Sequence, residues 1–544
     1  MCGVAPSPTA GSSTGAESTG AGVQGVQELL SMLEDKTSEA EREALAAALP
    51  GPVRELGKDN AMLAMQRAAR SGKLHEFWFD WSKRAGKGDP GTNILFPTAV
   101  IPKGSMPYID YMLVIAHPDD CMRMARTHVR KAETYGIAFL GDGVLATRDV
   151  DHWREQREHL IEAFLPEASL SKIFDISVSR AEYAAKQKLT GLSEDGRGAF
   201  NINELFLFET MAQLQLALFG ESEERMEETN VPLRAAFKEA LTLDGPPLEA
   251  ARLRGKARRV VQEYSNTLVA RSQEQGRVGA SEAMEDPHKN IKGPLTARMA
   301  DFCPMSAQFD AKKVARDNAS TLSFAGHDTT ANLLTHIVYY LCQYPEWQKR
   351  LQVEVDDFLA RHKDGITYEH LPELVEMKKV ILETLRLAPS VPNGTFRETM
   401  FADTIHGADG KEIRVPKGVS FVLPVWNLHH NAKLWGDDCE SFNPDRDWLP
   451  EEMWGAQENF KAYNPASHRF CPFTFGPRDC IGKAFALLEA RTILVSFLSR
   501  FTFELAPPSA GKSVAEISIN IGTLGPKDGL YVRAIPRTGG VARI

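Results

Sequence analysis

No run of this sequence approaches the ~18 to 20 uninterrupted apolar residues that a membrane-spanning helix requires; the nearest, IVYYL at 337–341, sits between polar flanks. Basic residues are in deficit, 63 Lys plus Arg against 72 Asp plus Glu, for a net charge of -9. That balance exerts no global pull toward nucleic acid. Cysteine is sparse, seven in 544 residues (2, 121, 303, 342, 439, 471 and 480), with no CxxC pair. The dense disulfide framework of small secreted scaffolds is thereby excluded, and an intracellular, reducing compartment fits best. The first 24 residues contain neither Lys nor Arg and no apolar centre, which argues against ordinary secretory and mitochondrial leaders and leaves a disordered tail as the expectation. Position 2 is Cys rather than Gly, so N-myristoylation is also excluded.

What is present is mostly helical patterning. Short helical segments at 26–50 end on Pro50, so residues 1–49 read as a tail with short N-terminal helices and 50–544 as one folded domain. Within it, apolar periodicity predicts helices over 152–164, 200–219, 247–274, 311–343, 346–362, 371–387 and 482–500. Strand-like stretches are few: NILFPTAVI (93–101), EIRVPKGVSFVL (412–423), EISINIG and GLYVRAI. The expected fold is mainly α with small β-sheets, a single large helical domain with a long central helix. No internal repeat breaks it.

In FTFGPRDCIG (473–482), Gly476 and Pro477 turn the chain and Cys480 then precedes a strongly helical segment. A sulfur at a helix start meets unpaired N–H groups and the positive end of the helix dipole, which favour the thiolate that ligates metal. A zinc site of His468, Cys471 and Cys480 lacks a fourth ligand and a recognised spacing. The spacing Phe-x-x-Gly-x-Arg-x-Cys-x-Gly closely resembles the haem-binding signature of the cytochrome P-450 superfamily. Cys480 is then the iron ligand of haem b; Phe473 shields the sulfur, Gly482 leaves room for the flat macrocycle and Arg478 supplies a cation for a propionate.

Further motifs follow that resemblance in the expected order. FAGHDTT (324–330), in the middle of the long helical segment, matches Ala-Gly-x-Asp-Thr-Thr. Gly326 and a Thr329 hydroxyl able to bond the carbonyl at i-4 invite a local distortion there, while Asp328 and Thr329 are the candidates for managing protons. Glu383 and Arg386 in VILETLRLAPSVP match Glu-x-x-Arg, and apolar residues on nearly every face mark a buried pair. Arg446 in FNPDRDW occupies the third place of that network, to which the resemblance gives a structural role. Trp153 and Arg157 match Trp-x-x-x-Arg, and with Arg397 they resemble haem-propionate contacts. In NLHHNAKLWGDDCESFNPDR, Asn431 and Ala432 replace the family's common Asp-Pro and His430 stands where Arg is frequent.

The resemblance implies a haem-thiolate monooxygenase that inserts one oxygen atom of O2 into a hydrophobic small molecule, nearest in flavour to the eukaryotic-type fatty-acid hydroxylase branches. Two electrons must arrive from NAD(P)H through a separate reductase or ferredoxin, because no dinucleotide fingerprint or fused flavin domain is legible. Basic residues near Arg154, Lys483 and Arg491 are the candidate docking face, and the 137–147 loop, Phe324, Ala325, Val391 to Thr395, Thr523 and Leu524 the candidate substrate lining. The placement that follows is cytoplasmic or peripherally membrane-attached. Two alternatives keep the haem: an isomerase or dehydratase acting on hydroperoxides, which intact Asp328 and Thr329 argue against, and a non-catalytic haem carrier. His327 is the only distal ligand candidate for the latter and lies on another helical face.

Overall fold

The computed structural model describes residues 38–100, 108–133, 140–165, 169–241, 247–282, 294–453 and 466–538. The expected tail, Cys2 and the start of the 137–147 loop lie outside them. A short helix, Glu39–Ala48, opens the described chain, capped by Ser38, whose hydroxyl accepts from the Glu41 N–H while Glu41 bonds back. Its Leu45, with the following Leu49, is buried against a four-stranded sheet.

That sheet runs in the order Ile94–Val100, Tyr108–Val114, Ser420–Leu423, Thr395–Glu398. The outer pairs are antiparallel and the central one parallel. The stretch 412–423 is two strands in different sheets. Glu412–Val415 pairs with Asp403–His406 in a separate ribbon, because Pro416 offers no N–H and Gly418 turns at φ 83°. Phe200–Asn201, Tyr531–Pro536 and Phe501–Leu505 form a three-stranded sheet, and Ser518–Ile521 with Thr523–Pro526 a C-terminal hairpin.

The long central helix spans Ala311–Gln343, as its pattern predicts. Asp310 caps it by accepting the Lys313 N–H at 2.7 Å, and Pro345 starts the next helix, so the ladder ends at Tyr344. Most of its side chains are buried on every face, the mark of a helix enclosed by others rather than lying on a surface. Around it pack Ile202–Gln213, Pro247–Glu282, Val375–Leu387, Lys483–Leu498 and the C-terminal hairpin. The helix expected over 371–387 begins at Val375, since Tyr368–Glu373, containing Pro372, is a tight turn of its own. Pro118–Thr127, Ser171–Tyr183 and Glu223–Leu241 are helices the periodicity did not single out. Among the described residues no helix is long and apolar enough to cross a membrane.

Candidate active site around Cys480

The cysteine loop is shaped by its backbone. Gly476 turns at φ 71°, and a Cβ there would stand 3.0 Å from the Ala125 carbonyl oxygen, so glycine lets the loop press on Pro118–Thr127. Thr474 also adopts positive φ, 63°, and the Cys480 N–H closes the loop by donating to the Phe473 carbonyl at 3.0 Å. Lys483–Leu498 then begins, with Gly482 at its cap. Gly482 faces the Phe164 ring, 3.7 Å from where its Cβ would lie. The Cys480 side chain is exposed at the mouth of the loop, yet the protein packed around it desolvates the thiol and holds it above its ordinary range, although Lys483, the Gly482 N–H and Arg157 all favour the thiolate. The helix-start effect read from the sequence is therefore present but outweighed. A metal cation at the sulfur would supply the remaining charge stabilisation.

Cations gather beside this loop. Arg397 is fully buried; its Nη1 donates to the carbonyls of Ala125 at 2.6 Å and His128 at 3.3 Å. Its Nε and Nη2 are buried with no acceptor among the described residues, and burial lowers it to about 10. Arg478 donates Nη2 to the Thr147 carbonyl at 2.8 Å and lies over the Trp153 ring at 4.6 Å. Lys131, also buried, reaches the Thr395 hydroxyl at 2.6 Å. Burial, then the fields of Arg478 and Arg397, drive its ammonium well below the usual range. Cations so placed call for an anionic partner, and the two propionates of a haem suit them chemically. Arg157 behaves differently: it bonds the Asp479 carboxylate and, at 2.9 Å, the Asp479 carbonyl, bracing the cysteine loop.

On the long helix, the Thr329 hydroxyl donates to the Ala325 carbonyl at 2.9 Å, the i-4 bond expected. The distortion is not there: the α-helix runs unbroken through Gly326 and Thr329. Gly326 instead admits the Leu214 side chain, which would lie 3.1 Å from a Cβ. Asp328 accepts from the Thr523 hydroxyl and, at 3.5 Å, from the Asn332 amide. His327 turns away, its Nδ1–H donating to the Ser323 carbonyl at 2.8 Å and its ring stacked 5.7 Å from Phe237.

The Glu383 cluster is saturated. Arg386 meets both carboxylate oxygens at 2.8 Å, and Arg446 Nε and the Asn443 N–H each reach Oε1 at 2.9 Å. The remaining guanidinium hydrogens of Arg386 go to the carbonyls of His429, Cys439 and Ser441. His429 lies beneath the cysteine loop, its Nε2 accepting the Cys471 N–H at 3.0 Å, whereas His430 pairs with Glu440 at 2.9 Å.

Some expectations are corrected. Arg491 cannot belong to a docking face: it is buried, its Nε donating to the Leu487 carbonyl at 2.8 Å. Lys483 is mostly buried and tied to Asp479 at 2.8 Å, and Arg154, the exposed member of that set, pairs with Asp151 at 2.7 Å. Thr523, expected to line the substrate site, gives its hydroxyl to Asp328. Sequence reasoning passed over Lys131, whose setting RTHVRKAE reads as solvated charge. It also passed over Glu489, pushed well above the carboxylate range by burial while the Thr330 hydroxyl opposes the shift. On the helix that follows the cysteine loop, nine residues after Cys480, that acid had no signal beyond its apolar neighbours.

A helical domain with a single cysteine loop, a saturated Glu-Arg-Arg cluster and buried cations beside the loop defines a haem-thiolate protein. The Cytochrome P-450 family profile matches residues 110–527, and the chain belongs to that family of haem-dependent monooxygenases. It is 36% identical over 221 residues to a cytokinin hydroxylase of Arabidopsis thaliana, covering 40% of this chain and 37% of that protein. It is 29% identical over 425 residues to cytochrome P-450 4F2 of Homo sapiens (72% and 76%). With leukotriene-B4 omega-hydroxylase 3 of Mus musculus it shares 29% over 387 residues (67% and 68%). The chain thus spans under two-fifths of the plant relative and at least two-thirds of the two mammalian ones.

Proposed function

We propose that this chain hydroxylates a hydrophobic, lipid-like molecule, drawing electrons from NAD(P)H through a separate reductase or ferredoxin. The observation that carries the reading is the pairing of the Cys480 loop with Arg397, whose buried Nε and Nη2 lack an acceptor among the described residues. Cys480 would ligate the iron, and Arg397, Arg478 and Lys131 would bind the propionates, with Trp153 holding Arg478 in place. Bound there, the haem would supply oxygen activation, which thiolate ligation favours. Arg157 fixes the loop through Asp479, and Glu383, Arg386 and Arg446 hold the segment that carries His429 beneath it. Asp328 and Thr329 would hold and pass protons.

The lipid-like substrate class is supported by the mammalian relatives, one of which is named for ω-hydroxylation of leukotriene B4. It is supported too by the apolar Phe324, tilted against Phe237 at 5.6 Å. The test has two stages. The wild type should give the red-shifted reduced carbon-monoxide band of thiolate ligation, and Cys480→Ser should lose it. A panel of straight-chain fatty acids and eicosanoids should then shift the ferric spin state and yield hydroxylated products with a reductase. A wild-type band without the red shift overturns the haem-thiolate assignment; a normal band with no response to any lipid overturns the substrate class.

A further inference from the structure

The C-terminal hairpin is fastened to the long helix and its neighbour at three levels. At its base, the Ser518 hydroxyl meets His336 Nε2 at 3.0 Å. The His336 Nδ1–H donates to the Asn332 carbonyl at 2.8 Å, which leaves Nε2 to accept. In the second strand, Thr523 accepts the Asn332 amide at 3.3 Å and donates its single hydroxyl proton to the Asp328 carboxylate. Next to it, the Leu524 N–H donates to the Ser390 carbonyl at 2.9 Å, and the Ser390 hydroxyl to the Thr329 carbonyl, also at 2.9 Å. The approach is close enough that a Cβ on Gly525 would fall 2.5 Å from Asn332 Oδ1.

Asn332 is itself pinned. Its amide oxygen accepts from Asn203 at 3.3 Å, and the same Asn203 amide reaches the Thr335 hydroxyl at 3.0 Å. Both hydrogen bonds that Asp328 receives end on Oδ2, which leaves Oδ1 for the proton it handles. The nearby Arg234, drawn toward Glu204 at 3.4 Å, also feels the Asp328 charge. It offers the carboxylate a competing direction once Thr523 lets go.

We propose that Thr523 is a positioning residue for proton delivery: its hydroxyl, anchored by Asn332, fixes the orientation of the Asp328 carboxylate. This rests on the reading of Asp328 as the proton-handling acid. Thr523→Val removes the donor with little change of shape, and Thr523→Ser keeps it. Both variants should retain the wild-type carbon-monoxide band and the spin-state shift with the straight-chain fatty acid that gives the largest response. Thr523→Val should form about tenfold less product per NADPH, with matching release of hydrogen peroxide, the order expected from one lost bond to a charged acceptor. Thr523→Ser should stay within about twofold of wild type, and Thr523→Val should add nothing in an Asp328→Asn background. Independently of turnover, amide hydrogen exchange over 325–332 in the resting protein should quicken in Thr523→Val and not in Thr523→Ser. Wild-type coupling in Thr523→Val alongside a large Asp328→Asn defect removes Thr523 from the relay. A Thr523→Val defect that persists unchanged on Asp328→Asn does the same. If Asp328→Asn itself couples normally while Cys480→Ser loses its band, the reading of Asp328 falls and this proposal with it.

Discussion

Two clusters of buried charge lie near the cysteine loop, and they are built on opposite plans. Around Glu383 every charge is answered: one carboxylate takes two bonds from Arg386, one from Arg446 and one from the Asn443 N–H. The leftover guanidinium hydrogens find carbonyl oxygens and, from Arg446, the Asp438 carboxylate at 2.9 Å. Around Arg397 the cations Lys131 and Arg478 crowd a guanidinium with two buried donors lacking acceptors among the described residues. A buried ion pair is at best near break-even against apolar residues, and a buried cation lacking its anion is costly. The first cluster is thus closed, suited to holding the chain in place. The second is open, and a dianionic ligand would complete it.

If the first cluster is closed, removing its buried carboxylate should have the largest effect. Glu383→Gln leaves the buried Arg386 without a carboxylate and Arg446 with only the exposed Asp438, and should cost about 3 to 5 kcal/mol of stability. The measurement is the midpoint of urea unfolding followed by tryptophan fluorescence. A shift near that of a surface substitution would mean the carboxylate is not what holds Arg386 and Arg446 together.

His336 sharpens the same comparison, because it is buried and titratable yet fully answered while neutral. Burial lowers its imidazole from the ordinary range to about 4. Between pH 6.5 and about 4 the unfolded chain therefore binds a proton there that the folded one does not. Its contribution is complete above pH 6.5 and is lost as pH falls through about 4, an effect of about 3 kcal/mol. His336→Gln should flatten the acid limb of the stability profile by that order. An unchanged limb would show that other groups carry the acid sensitivity.

The closed cluster was legible in the sequence and the open one only in part. Glu383 and Arg386 stand three apart with apolar residues on nearly every face, so spacing alone places them together inside a helix. The central helix was legible to its ends for a similar reason, since Asp310 and Pro345 punctuate it. Lys131 and Arg397 meet through sheet pairing across more than 260 residues, where no local period operates. Thr523 shows the same limit: a hydroxyl beside apolar residues suits a pocket wall, and only the hairpin's register turns it onto Asp328. The expected kink at Gly326 failed for another reason. The helix is gripped along its length, and Leu214 fills the space a missing side chain leaves.

Arg397→Met tests the open cluster, with the smallest expected effect on folding and a selective one on binding. Methionine fills much of the volume and removes the buried cation. It forfeits the bonds to the Ala125 and His128 carbonyls, but the relief of an unanswered charge offsets that loss, so the urea midpoint should correspond to less than about 1 kcal/mol. Haem should leave faster, by about tenfold, when the variant is mixed with apomyoglobin, because a charge-assisted contact to a propionate is gone. The two readouts separate the plans. A loss of several kcal/mol with unchanged haem release would place Arg397 beside Arg386 as a closed strut. Faster release at constant stability is what an open receptor for an anion requires.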